Sequence, residues 1–312
     1  MHAFAFRPDR KLTEVLSEKR FSISAEVIPP RNGSEQGLLL EQIYQLVQGG
    51  AEFLAVTKGA GGSLRGGSLP IAQLIHERFG VPCIAHFTCR DLTPQEVENQ
   101  LMDHHYFGIR NILALRGDPP DGQAEWKARE GGYSYAYELI EQIRKLNAGQ
   151  YLERKGGPGI TGERERTDFC IGAAVYPEWP DEAQRISFFA DKVRAGAEYG
   201  ITDMLFDPEA YARFMDASAK AGITLPVLPG TRILKSRSQA TKMMTKFRVR
   251  VPESMLSRLP EESDPSSRAG VELFLELSEK LRSYGAPGIH LFVISDTAGA
   301  VSALEAMRAI RR

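Results

Sequence analysis

Eight short apolar runs, each separated from the next by an amphipathic stretch, constrain this chain more than any other feature. They are Phe21 to Ile28, Phe53 to Thr57, Pro82 to Thr88, Asn111 to Arg116, Phe169 to Tyr176, Ile201 to Phe206, Leu225 to Leu228 and Gly288 to Ile294. Apolar runs of this length bounded by turn residues read as buried strands. The stretches between them carry helix signals. Thr93-Pro94-Gln95-Glu96 is a capping box with Pro at the first helical position, and Val97, Leu101 and Tyr106 are then expected on one face. Asp207 opens a segment that ends at Ala221-Gly222, and Ala195-Gly196-Ala197 closes another. The Ala-rich segment from Ala298 ends in Arg311-Arg312, which suits the negative end of a helix dipole. Strands returned one by one by helices predict a parallel sheet, and eight such units match a (β/α)8 TIM barrel in a single catalytic domain over residues 1–312. A doubly wound open sheet is the alternative. It normally carries a phosphate-binding Gly-rich turn, and Gly59-Ala60-Gly61-Gly62 lacks both the spacing and the following helix of that fingerprint. Two stretches break the rhythm. Ala148 to Asp168 reads as a mobile surface insertion on the amino-terminal side of the fifth strand, and Pro260 to Arg268 as a polar loop.

Composition narrows the class. The 312 residues are 42% hydrophobic and 25% charged with net charge −1, ordinary for a large-cored globular protein and without the bias that nucleic acid or a membrane surface calls for. No apolar run is long enough to span a bilayer, and the N-terminus lacks the order of a signal peptide. The expectation is a cytoplasmic protein. Cys83, Cys89 and Cys170 are odd in number and sit in apolar stretches, so buried thiols fit them better than disulfides. The six His and three Cys show no metal-ligand spacing.

In a barrel the chemistry sits where the strands end. The fourth run stops abruptly at Arg116-Gly117-Asp118-Pro119-Pro120. Gly117 permits close approach of a ligand or a positive φ, and Asp118 stands where a working carboxylate is often found. An Asp that only caps the turn is the competing reading. Glu26 stands in an otherwise apolar strand, where burial raises a carboxyl pKa toward that of a general acid near neutral pH. A structural ion pair is its competing reading. Two carboxylates meeting at one mouth favour a functional role for both. The other strand ends contribute Thr57-Lys58-Gly59, His86 with Thr88, Tyr176-Pro177-Glu178, Asp203, and Pro229-Gly230-Thr231-Arg232.

These residues stand in blocks that occur in order: Ala25-Glu26-Val27-Ile28-Pro29-Pro30, Val56-Thr57-Lys58-Gly59-Ala60-Gly61-Gly62, Ala85-His86-Phe87-Thr88-Cys89, Gly108 to Pro119, and Ala174-Val175-Tyr176-Pro177-Glu178. With Leu205-Phe206-Asp207, Leu228-Pro229-Gly230 and Arg250-Val251-Pro252, they resemble the methylenetetrahydrofolate reductases over nearly the whole chain. The resemblance implies a barrel that holds FAD non-covalently at the strand ends. It also implies NADH or another electron donor, and a reduced folate, 5,10-methylenetetrahydrofolate, that leaves as 5-methyltetrahydrofolate for methionine biosynthesis. By resemblance Glu26 matches the acid that opens the five-membered ring, and Asp118 the carboxylate near flavin and pterin. Thr57, His86, Arg116, Gly117, Tyr135, Tyr176, Glu182 and Lys192 match positions that hold FAD. The family is often a homo-oligomer.

Departures from the pattern cluster on donor and folate-tail contacts. Asp203 stands where the family usually has a pterin-contacting Gln, and it can accept but not donate. Pro180 replaces a His, Arg185 an acidic residue at a flavin contact, and Arg237 an aromatic. Ser295-Asp296-Thr297 lacks an Arg that would hold the folate glutamate. The basic run Arg232, Lys235, Arg237 is a candidate for a phosphate or polyglutamate tail, with a solvated basic loop as the alternative. Two other readings follow: a relative that takes electrons from another donor or a partner subunit, and a folate- or flavin-binding subunit without catalysis of its own.

Overall fold

The computed structural model describes residues 7–18, 20–30, 33–63, 66–119, 126–153, 165–264, 267–294 and 297–310. Eight parallel strands close into one barrel in sequence order. They are β1 (Ser22–Val27), β2 (Phe53–Val56), β3 (Cys83–Thr88), β4 (Asn111–Leu115), β5 (Cys170–Val175), β6 (Tyr199–Met204), β7 (Val227–Thr231) and β8 (Gly288–Phe292). Closure is made by β8 on β1, with Ser24 opposite His290 and Glu26 opposite Phe292. After α1 (Leu12–Leu16), each strand is returned by a helix: α2 (Gln36–Gly49), α3 (Ser68–Leu74), α4 (Pro94–Tyr106), α5 (Ala136–Asn147), α6 (Glu182–Ala195) and α7 (Pro208–Lys220). The β7–β8 connection holds α8 (Arg237–Phe247), α9 (Glu253–Leu256) and α10 (Ala269–Ser283), and α11 (Thr297–Ile310) follows β8. None of these helices is long and apolar enough to cross a membrane.

The near-continuous apolar strands follow from a sheet covered on both faces. Alternate residues divide between two cores. Leu54, Val56, Ala85, Phe87, Ile112 and Ala114 face the helices. Phe53, Ala55, Ile84, Leu113, Tyr199 and Leu228 fill the barrel. In this interior the large rings sit against glycines of the adjacent strand. A Cβ on Gly172 would lie 2.2 Å from the Tyr199 ring, and one on Gly230 would lie 2.4 Å from the Phe292 ring. The base is sealed by α1, a short element without a reading in the sequence, whose Leu12, Val15 and Leu16 join the interior core. Asn111 at the start of β4 ties it down, accepting from Leu12 N at 2.6 Å and donating to Arg10 O at 2.9 Å.

Several sequence expectations need correction. Tyr106 does not share the buried face of α4; it is 76% exposed, and His104 is buried with Val97 and Leu101 instead. The spacing explains this, since residue 104 lies seven from 97, two full turns, whereas 106 lies five from 101. β6 starts two residues before its apolar run, because Gly200 pairs with Val227 inside the sheet rather than breaking it. β7 continues through Pro229-Gly230, which read as its end. Of the expected insertion, residues 154–164 lie outside the described residues. Its flanks are held by Leu152 N donating to Glu98 Oε2 at 2.8 Å and Thr167 Oγ1 donating to Asn147 Oδ1 at 2.7 Å. The 260–268 loop, apart from residues 265–266, which are not described, caps α8, with Pro260 O accepting from Arg237 N at 2.9 Å. The capping box at Thr93 forms as expected, and all three cysteines are buried free thiols.

Candidate active site

Glu26 points into the barrel one residue below the end of β1, because inward positions alternate from Ser22 through Ser24. It is buried, and its Oε2 lies 3.3 Å from His86 Nε2 on β3 and 3.5 Å from His290 Nε2 on β8. Neither separation meets hydrogen-bond alignment, so both imidazole nitrogens lack a hydrogen-bond partner among the described residues. Behind them, His290 Nδ1 is 2.8 Å from Ser24 Oγ. Burial pushes the His86 imidazole below its ordinary pKa, with the Glu26 charge opposing and His290 adding to the drop. Sequence reading singled out His86 but missed His290, one polar letter inside the eighth apolar run.

At the next strand ends the backbone does much of the shaping. Gly117 takes φ +97°, and a Cβ there would lie 2.8 Å from Arg90 Cβ. Only glycine suits that combination. Asp118 is exposed at the mouth, where its Oδ2 accepts from Gly61 N at 3.0 Å and its carbonyl accepts from Arg90 Nη1. The Gly-rich turn after β2 is thus tied to the loop after β4. Thr57, at the end of β2, is buried and its Oγ1 has no hydrogen-bond partner among the described residues. The neighbouring Lys58 turns the other way. Its Nζ donates to Gln100 Oε1 of α4 at 2.7 Å and sits 4.0 Å from the Phe87 ring centre, and burial lowers its pKa to about 8.

Across the mouth, Lys192 reaches back from α6 to donate to Ala174 O at 2.7 Å, with Nζ 5.3 Å from the Tyr176 ring centre. Burial and then the Arg116 charge lower the Lys192 pKa to about 8. Burial first, then the charges of Asp203 and Asp118, raise the pKa of the Tyr176 hydroxyl, with the Arg116 charge opposing. Asp203 follows the irregular register between Ile201 and Met204, the kind of bulge that re-aims a side chain. Its Oδ1 is buried without a hydrogen-bond partner among the described residues. Burial first, and the charge of Glu178 second, raise its pKa from 3.8 to about 7.

The remaining candidates sit further out. Tyr135 precedes α5, exposed and stacked on Tyr137 at 5.2 Å. Glu182 opens α6 with an exposed side chain that pairs with Arg185 Nη2 at 3.1 Å. Arg185 also donates to Pro177 O, binding the β5–α6 loop to its helix. The Arg237 guanidinium is engaged with Leu256 O at 3.3 Å and lies 3.9 Å from Glu261, so it ties α8 to α9 and the following loop rather than standing free for an anion. Ser295 and Asp296 lie outside the described residues.

Comparisons with known proteins point to one family. The family model described as methylenetetrahydrofolate reductase matches residues 11–307. The 5,10-methylenetetrahydrofolate reductase of Escherichia coli (strain K12) is 29% identical over 296 residues, covering 92% of this chain and 90% of that protein. That of Pectobacterium carotovorum subsp. carotovorum is 30% identical over 287 residues, covering 88% and 86%. Methylenetetrahydrofolate reductase (NADH) 1 of Zea mays is 27% identical and covers 94% of this chain, yet the chain spans only 49% of that protein's length. About half the length holds for the other plant relatives as well. Among solved structures, an uncharacterized protein from Clostridium thermocellum that binds two copies of 5-methyl-5,6,7,8-tetrahydrofolic acid shares the fold, with TM-score 0.58 at 15% identity over 95% of this chain and 98% of that one. The chain belongs to the methylenetetrahydrofolate reductase family.

Proposed function

We propose that this barrel is a single catalytic domain that reduces 5,10-methylenetetrahydrofolate to 5-methyltetrahydrofolate with FAD as its cofactor. The observation that carries the reading is the Glu26 carboxyl, buried at a strand end between two imidazoles and sharing the barrel mouth with Asp118. The names of the bacterial relatives and the methylated folate bound by the Clostridium thermocellum protein support the same substrate class.

The residues suit a flavin. Buried polar atoms normally find partners, and Thr57 Oγ1 and His86 Nε2 lack them at the end where a ring system would dock. Gly117 leaves a side-chain-free approach, and Arg116 and Lys192 supply positive charge. Tyr135, Tyr176 and Glu182 form the outer part of the proposed cradle. When bound, FAD supplies the hydride chemistry that no side chain carries. Glu26 donates a proton to a ring nitrogen of the folate and so opens its five-membered ring. Asp118, held by Gly61 N and Arg90, orients the pterin and adds negative charge beside the reacting rings. Asp203 accepts hydrogen bonds from the pterin N–H groups, a role that its unpartnered Oδ1 suits.

The first test is the visible spectrum of the purified protein, followed by NADH without oxygen. A flavin spectrum that bleaches is expected. No flavin, even after FAD is supplied, would overturn the cofactor assignment. Glu26→Gln is expected to keep the flavin spectrum while folate reduction falls by about 10²–10⁴-fold; undiminished reduction would remove Glu26 as the acid.

A second reading has its own observation. Arg185, where the family has an acidic flavin contact, is engaged with Pro177 O and Glu182. A changed donor side fits electrons arriving from another donor or a partner subunit. A flavin that bleaches with dithionite but not with NADH would select it.

A further inference from the structure

Glu26 must hold one position in two charge states if it gives up a proton and regains it. The titratable groups facing it are His86 from β3 and His290 from β8, both within reach of the same oxygen, Oε2. Between Glu26 and β3, β2 places Phe53 and Ala55 in the interior core with Thr57 just past its end, and none of these is titratable. His290 is fully buried, edge-on to Phe292 at 5.2 Å, and opposite Ser24 and Gly230 in the sheet. Glu26 is therefore the acidic group that its Nε2 meets, and Ser24 Oγ the group that its Nδ1 meets.

The Ser24 hydroxyl has two acceptors, His290 Nδ1 at 2.8 Å and Ile289 O at 3.4 Å. The choice between them decides which ring nitrogen carries hydrogen, because a neutral imidazole has one donor and one acceptor. When Ser24 donates to Ile289 O, its oxygen accepts from Nδ1–H, and the bare Nε2 accepts the proton of a neutral Glu26. When Ser24 donates to Nδ1, the hydrogen is on Nε2 and points at an ionised Glu26.

We propose that His290, governed by Ser24, is a positioning residue for Glu26 that matches both charge states of the carboxyl by exchanging its ring tautomer. The ring carries one hydrogen before and after, so the exchange adds no charge to the buried cluster. The pair loses one proton in all: the neutral Glu26 hydroxyl turns from Nε2 to the substrate nitrogen and gives its proton up, and the ring hydrogen then moves from Nδ1 to Nε2 by exchange with water, with no net proton change, while Ser24 turns its own hydrogen from Ile289 O to Nδ1. At 3.5 Å Nε2 already faces Oε2 closely enough for each group to respond to the other's protonation, and the contact tightens further when substrate arrives. This inference rests on the proposed role of Glu26 in folate reduction.

The chain has six histidines, so ¹⁵N-histidine labelling of the whole protein gives a readable spectrum, with His290→Gln used for assignment. The His290 signals are expected to change from the Nδ1–H to the Nε2–H pattern as pH rises, and the change is expected to vanish in Glu26→Gln. One tautomer at every pH, or an unchanged transition in Glu26→Gln, would overturn the proposal. This readout needs neither flavin nor folate, so it stands apart from a failure of the functional reading. In the active enzyme, His290→Asn is expected to slow folate reduction about tenfold or more and move the pH limb of kcat. His290→Gln, whose amide reaches the Nε2 position, is expected to recover part of the loss. Equal kcat and an unmoved pH limb in both variants, in an enzyme that does reduce folate, would overturn the positioning role alone.

Discussion

Asp203 carries a stability cost that the proposed pterin contact would explain. Its carboxyl is raised from 3.8 to about 7 by burial and by Glu178. A carboxyl raised in the folded state is held protonated there while the unfolded chain has already ionised. Stability therefore falls as pH climbs from 3.8 toward 7 and is level above that. Asp203→Asn is expected to remove this decline and to stabilise the protein at pH 8 by about 1–3 kcal/mol, read by urea denaturation at pH 5 and pH 8. In the proposed site an ionised Asp203 would accept from pterin N–H groups, so KM for the folate is expected to fall as pH rises through 7, and Asp203→Asn to flatten that profile. A KM profile identical in both proteins would remove Asp203 from the binding site. Legibility at this scale was uneven. Glu26, Asp118 and His86 stood out as polar letters at the ends of apolar runs. His290 did not, because its partner Ser24 is 266 positions away and the contact exists only once the last strand closes on the first. No local pattern carries that information.

At the scale of elements, local chemistry was a good guide where it is self-contained. The Thr93 capping box forms with Glu96 Oε2 2.7 Å from Thr93 N, and Asp207 caps α7 through Glu209 N and Ala210 N. It failed where tertiary packing overrides a local signal. Gly200 and Pro229-Gly230 look like breaks, yet they lie inside β6 and β7, and both glycines have close neighbours there: a Cβ on Gly200 would lie 3.2 Å from Val227 Cγ2, and one on Gly230 2.4 Å from the Phe292 ring. The glycine at 172 has such a neighbour too. Gly172→Ala would bring a methyl to 2.2 Å from the buried Tyr199 ring. It is expected to destabilise the protein by about 1–3 kcal/mol, measured by chemical denaturation, with Tyr199→Leu in the same chain recovering part of it. A neutral Gly172→Ala would contradict the ring-against-glycine packing of the interior.

The whole molecule is polar in its architecture. Its carboxyl end gathers Glu26, Asp118, Tyr176 and Lys192, while its base is closed by α1 through contacts with the interior core and Asn111. Asn111 is buried and serves both the Leu12 amide and the Arg10 carbonyl. Asn111→Ala is expected to cost about 1–3 kcal/mol of stability, with little change in folate KM because the substitution lies at the far end of the barrel. A change in KM larger than the change in stability warrants would contradict that division of labour. The barrel itself was legible from eight alternations of strand and helix, and the plug was not, since five apolar and polar letters before the first strand carry no distinctive period. What the carboxyl end does can be tested without assuming a donor. Flavin bound to the purified protein would be reduced chemically without oxygen, then mixed with 5,10-methylenetetrahydrofolate while its visible absorbance is followed. Return of the oxidised flavin spectrum with formation of an equal amount of 5-methyltetrahydrofolate is expected. A flavin that stays reduced in the presence of the folate would contradict the reductase reading, whatever the donor.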